Sequence, residues 1–183
     1  MRKDQHQKLG YEHFLNSLAT ITKEDRYGFA LYEDDDFLWV ENLFIKLMSN
    51  RKVFGAIQQL KKHDDYSYLH SIDTFILGAL FARKINLKDI ETFALGCLLH
   101  DIGKLEIAKS LLQKKGMLTT KEYKEIQKHV IYGHQWLTKH QFPSLICELA
   151  LSHHRSTIVF LSKNLSNLVL YKKIRYGKII YRH

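Results

Sequence analysis

From residue 37 onward, apolar positions recur at three- and four-residue intervals, a spacing that predicts one helix after another. FLWVENLFIKLMS (37–49) and RKVFGAIQQLKK (51–62) read as two helices broken near Asn50. DDYSYLH then leads into SIDTFILGALFARKI (71–85), which is apolar on most faces and so expected to be central and buried. NLKDIETFALGCLLH (86–100) predicts a helix with Asn86 as cap and Asp89 in its first turn, ended by Gly103. After the short segment IAKSLLQKKG, the stretch TTKEYKEIQKHVIYGHQWLTKH (119–140) opens with a capping box, Thr119 with Glu122. FPSLICELALSHH (142–154) is a further amphipathic helix. Upstream, YEHFLNSLATI (11–21) reads as a helix, GFALY (28–32) as a short strand and EDDD (33–36) as a solvated turn. Strand-like alternation is otherwise scarce, and Pro occurs once, at position 143. The fold class expected is an all-α helical bundle.

The chain has 183 residues, enough for one domain with a sizeable core. Its longest wholly apolar stretch, FILGALFA (75–82), is far short of the roughly 20 residues that span a bilayer. MRKDQHQK at the start lacks the apolar core of a secretory signal. Cys97 and Cys147 sit in apolar helical contexts, as small core residues of a reduced compartment do. A cytoplasmic protein without membrane partners is expected. The net charge of +9 would ordinarily suggest nucleic acid. Seven of the basic residues lie in 155–183, which has no Asp or Glu, so residues 1–154 carry a net charge of only +2. With no aromatic–glycine RNA motif in that basic stretch, nucleic acid is disfavoured as a partner.

The chemistry concentrates near CLLHDIGKLEI (97–107). Asp101 falls at the negative end of a helix dipole, costing about 0.3–1 kcal/mol where a cation would be favoured. Burial beside Leu98, Leu99 and Ile102 adds several kcal/mol if the carboxylate has no partner. His70, His100, His129, His153 and His154 also fall near helix ends, on four different predicted helices. Each alone reads as a cap or surface histidine. Together with Asp101 they form a mixed imidazole–carboxylate set suited to Fe, Mn, Co, Ni or Zn. A dication would offset both penalties on Asp101. Lys104, three residues after Asp101, can face the same place and contact a phosphate oxygen or donate a proton.

DDYSYLHS (64–71), LLHDIGK (98–104), KGMLTTKEYKEIQKHVIYG (115–133) and ELALSHH (148–154) together resemble the HD-GYP branch of the HD phosphohydrolase superfamily. The resemblance runs in order from about residue 37 to 154. It implies an HD-domain helical bundle with a metal site at its centre, holding two or three ions, with iron or manganese favoured. It also implies hydrolysis of a cyclic dinucleotide, chiefly cyclic di-GMP, in signalling. Carried over by residue, His70, His100, Asp101, His129, His153 and His154 match the metal ligands, with Asp101 the bridging carboxylate. Lys104 matches the lysine that approaches the substrate phosphate, and Gly133 the glycine following the third ligand histidine. A homodimer is compatible with this reading.

The pattern breaks in four places. Val130 and Ala108 stand where the family usually has proline. After His153 and His154 the chain reads RSTIVFLSKN, with no Gly-Tyr-Pro and no later aspartate to join the metals. Of the 28 residues 156–183, 17 are Ile, Leu, Lys, Asn or Tyr, as out-of-frame translation of AT-rich DNA yields. The expected organisation is therefore an unassigned lead-in (1–36), a phosphohydrolase domain (37–154) and an aberrant basic tail (155–183) left by a frameshift or truncation. The alternative for the tail is a divergent basic helix. The functional expectation is a metal-dependent phosphodiesterase impaired by the missing segment. Its alternatives are a non-catalytic metal- or nucleotide-binding signalling module and an HD hydrolase of another phosphate ester.

Overall fold

The computed structural model describes residues 34–154, together with Lys8, Tyr11, Glu12 and residues 14–17. The expected strand at 28–32 and the basic stretch 155–183 lie outside the described residues. The expected helix at 11–21 is described only in part, and that part is helical. The fold is all-α, with no strand among the described residues. From residue 34 the elements are α1 (Asp34–Met48), α2 (Arg51–His63), α3 (Asp65–Lys84), α4 (Ile90–Leu99), a 3-10 helix (Ile102–Glu106), α5 (Lys109–Leu112), α6 (Thr120–Gln127), α7 (His129–Lys139) and α8 (Ser144–Ser152).

The punctuation follows local side-chain chemistry. Asn50 caps α2, its side chain accepting from the Lys52 nitrogen at 2.9 Å. Asp64 ends α2 and caps α3, accepting from both the backbone nitrogen and the hydroxyl of Ser67, at 3.0 and 2.5 Å. The capping box of Thr119 and Glu122 forms as expected. On α2, Val53, Ala56, Ile57 and Leu60 are buried, an i, i+3, i+4, i+7 stripe. Helix α3 is the central element, burying Tyr68, Ile72, Phe75, Ile76 and Ala79. It packs on α4, which packs in turn on α8, while α7 lies against both α8 and the 3-10 helix. No helix among the described residues is long and apolar enough to cross a membrane.

Four local expectations are corrected. Asp34–Asp36 begin α1 rather than form a solvated turn, and Asp36 is held by Arg83 at 2.6 Å. Asn86 lies at positive φ in the turn after α3, and Asp89 is the cap of α4, accepting from the Thr92 nitrogen at 3.1 Å. The stretch 119–140 is divided at Lys128 into α6 and α7. Gly103 does not end α4, which stops at Leu99; it lies inside the 3-10 helix. The lead-in also reaches the body of the fold. Phe14 is fully buried against Phe37 and Phe44, and the Ser17 hydroxyl shares a hydrogen bond with the buried Tyr68 hydroxyl at 2.7 Å.

Candidate metal centre

Four helices and the 3-10 helix bring their ends to one place. His70 lies in the second turn of α3, His100 closes α4, and Asp101 precedes the 3-10 helix. His129 opens α7, and His153 and His154 follow the last turn of α8. Lys104 enters from within the 3-10 helix. All seven residues singled out in the sequence are therefore assembled around Asp101, which is 2% exposed.

The two oxygens of Asp101 face different partners. Oδ2 lies 2.8 Å from Lys104 Nζ, 3.3 Å from His100 Nε2 and 3.8 Å from His70 Nε2. Oδ1 lies 3.2 Å from His129 Nε2 and 3.5 Å from His153 Nε2. The His154 ring joins this second group, 5.0 Å from His129 and 4.2 Å from His153 between ring centroids. In each group, Asp101 with His70 and His100 or with His129, His153 and His154, the donor atoms lie within 4.8 Å of one another. The protein partner of Asp101, left open by its sequence position, is Lys104.

Helix ends also set the ring orientations. The last carbonyls of a helix have no N–H of their own. His100 Nδ1 donates to the Cys97 carbonyl at 2.7 Å, in the last turn of α4. His129 Nδ1 donates to the Ile126 carbonyl at 2.6 Å, in the last turn of α6, and His153 Nδ1 to Ala150 at 2.9 Å, in the last turn of α8. Each bond places the proton on Nδ1 and turns the Nε2 lone pair toward Asp101. These anchoring carbonyls went unread in the sequence, where the only sign of them is a histidine three residues past a last-turn position.

The result is a ring of lone pairs facing one another. His129 Nε2 and His153 Nε2 are 3.1 Å apart, and the buried Oδ1 of Asp101 has no hydrogen-bond partner. Acceptors held this close with no proton between them call for positive charge at their centre, so the residues fit a divalent cation. Burial raises the Asp101 carboxyl, but the charges and polar contacts of His100 and Lys104, with His129, outweigh it and hold the group well below the usual carboxylate range. His70 is lowered to about 4, first by burial and then by His100. His154 is also lowered to about 4, by burial and then by His153 and His129, and burial lowers His153 as well. His70, His153 and His154 are thus kept neutral, the form in which imidazole binds metal.

A helical bundle that closes several imidazoles and a carboxylate around one buried point, with a lysine beside them, has the make-up of a metal-dependent hydrolase centre. The chain belongs to the HD domain family, whose model matches residues 67–174. It is 30% identical over 141 residues to a cyclic di-GMP phosphodiesterase of Pseudomonas aeruginosa, a match covering 75% of this chain and 34% of that protein. It is 33% identical over 103 residues to a 3′3′-cGAMP-specific phosphodiesterase of Vibrio cholerae, covering 55% and 22%. A cyclic di-GMP phosphodiesterase of Thermotoga maritima is 40% identical over 58 residues, covering 31% of this chain and 16% of that one. The chain thus spans only about a third of the length of the first of these relatives and less of the other two. No solved structure matches it.

Proposed function

We propose that this chain is a metal-dependent phosphodiesterase acting on a cyclic dinucleotide. The observation that carries the reading is the division of Asp101 between two histidine groups, one on each oxygen. His129, His153 and His154 with Oδ1 would hold one cation, and His70 and His100 with Oδ2 the other. Iron or manganese suits this mixed set, with zinc, cobalt and nickel as alternatives. Divalent cations held there supply Lewis acidity toward a phosphodiester and lower the pKa of the attacking water.

The chain's own residues do the positioning. The Nδ1 anchors on Cys97, Ile126 and Ala150 fix three imidazoles before any ligand arrives, so no reorganisation is needed. The Lys104 ammonium, on a side chain 15% exposed, can exchange Asp101 Oδ2 for a phosphate oxygen and stabilise charge developing there. A cyclic dinucleotide is the substrate class named for the three relatives above.

Turnover is expected to be slow. His153 and His154 run into RSTIVFLSKN rather than a Gly-Tyr-Pro segment, and Asp101 is the one carboxylate of the ligand set proposed here. That one-carboxylate shell also favours the second reading, a non-catalytic metal- or nucleotide-binding module. The test is chromatographic assay of cyclic di-GMP and 3′3′-cGAMP after loading the chain with Mn²⁺ or, anaerobically, Fe²⁺. Linear dinucleotide or mononucleotide product that vanishes in Asp101→Ala supports the enzyme. Metal retention with no product supports the module, and hydrolysis of only a simple phosphate ester such as bis(p-nitrophenyl) phosphate would point to another HD hydrolase.

A further inference from the structure

The two halves of the centre are built differently. The Oδ1 half offers three histidines, two of them anchored through Nδ1, around an oxygen with no hydrogen-bond partner. The Oδ2 half offers two histidines around an oxygen already held by an ammonium at 2.8 Å. In that half only His100 is anchored. No hydrogen bond fixes the His70 ring among the described residues, and its Nε2 stands 3.8 Å off, farther from Asp101 than His100, His129 or His153.

A fixed positive charge beside Oδ2 has a definite consequence. A cation entering between Oδ2, His70 and His100 must displace Lys104 Nζ or bind close beside it, and like charges a few ångströms apart repel strongly in a buried setting. A cation entering at Oδ1 meets no such charge on its own oxygen. We propose that the centre loads in order: the His129–His153–His154 half binds first and tightly, and Lys104 serves as a built-in counter-ion for Asp101 that keeps the His70–His100 half weak until a ligand draws it away. A phosphate oxygen is the ligand that does so, because it accepts from the ammonium as Oδ2 does. Substrate and second cation therefore bind with positive coupling, and the chain rests in a one-metal state when divalent cations are scarce.

This inference rests on the metal reading above, and its test separates the two. The full chain, stripped with chelator and desalted, is titrated with Mn²⁺ by calorimetry and by electron paramagnetic resonance, with and without inorganic phosphate. One tight and one weak event are expected, with phosphate strengthening the second. Lys104→Met should strengthen the second event about tenfold, the low end of couplings between neighbouring sites, and leave the first unchanged. Lys104→Arg, which keeps the charge, should leave the second event weak and so distinguishes charge removal from a general disturbance of the fold. His70→Ala should remove only the weak event and His153→Ala the tight one. Two equal events in the wild-type chain, a Lys104→Met chain whose second event is unchanged or weaker, or loss of the tight event in His70→Ala would each overturn ordered loading while leaving the metal centre standing. A wild-type chain that takes up no Mn²⁺ would overturn both.

Discussion

Gly133 occupies the space where a side chain on Gly103 would stand. A Cβ on Gly103 would lie 2.3 Å from the Gly133 nitrogen and 2.0 Å from the His129 carbonyl oxygen. The 3-10 helix that follows Asp101 therefore rests directly on the first turns of α7, backbone against backbone, and this contact sets His129 beside Asp101. Both obstructing atoms are main chain, so neither can swing aside. Gly103→Ala is expected to destabilise the fold by about 3 kcal/mol and to lower metal retention by displacing His129. Gly55→Ala is the control, because nothing lies within 4 Å of its added Cβ. In a helix interior that change should be neutral or stabilising by up to about 1 kcal/mol. Urea denaturation of both variants, with metal analysis after desalting, checks the pair.

Asp101→Asn preserves volume but replaces the charged oxygen of a proposed ligand with a weak amide carbonyl. Retained metal should fall at least about tenfold, in the range seen when site groups are lost, while the helical circular dichroism persists. Bound metal equal to wild type would remove Asp101 from the centre.

The metal-free chain should lose stability as the solution is acidified. His70 and His154, ordinarily near 6.5, are each lowered to about 4, by burial first and then by neighbouring histidines. Between those values the unfolded chain takes up protons that the folded chain does not, so stability is fully present above about 6.5 and drains away toward about 4. The depressed Asp101 carboxyl acts in the same direction at lower pH. Thermal unfolding of chelator-treated protein across this window should show Tm falling with pH. A Tm that held level or rose would mean that the half-buried His70 and the more exposed His154 do not stand among the neighbouring histidines as described.

Cys97 should be a poor nucleophile in the folded chain. Burial pushes its thiol up to about 12, and its Sγ packs so close to Gly78 that an added Cβ there would meet it at 2.6 Å. Iodoacetamide at pH 8 should label Cys97 slowly in native protein and quickly in urea, read by peptide mass spectrometry. Rapid native labelling would show that α3 and α4 separate readily at this point.

The sequence alone determined the class of the fold and singled out the histidines and the lysine that stand around Asp101. Helical spacing, the caps Asn50 and Thr119, and the run LLHDIGK are local signals, carried by residues within one or two turns of each other. The tertiary structure decided what those signals could not. His140 donates its Nδ1 to the Trp136 carbonyl at 2.7 Å, the same kind of bond that aims His100, His129 and His153, yet it stacks on Trp136 and joins no centre. Only the docking of α7 on the 3-10 helix and of α8 on α4 separates a histidine that meets Asp101 from one that does not. The division of Asp101 into two unlike halves is likewise invisible in the chain, because it depends on distances across residues far apart in sequence. Gly103 shows the same limit from the other side. Its sequence context suggested the end of a helix, whereas its role is a backbone contact with residues some thirty positions away. Local conformation is written in near neighbours; which helix ends meet is settled by the packing of buried faces, a sum over many weak contacts that no single stretch contains.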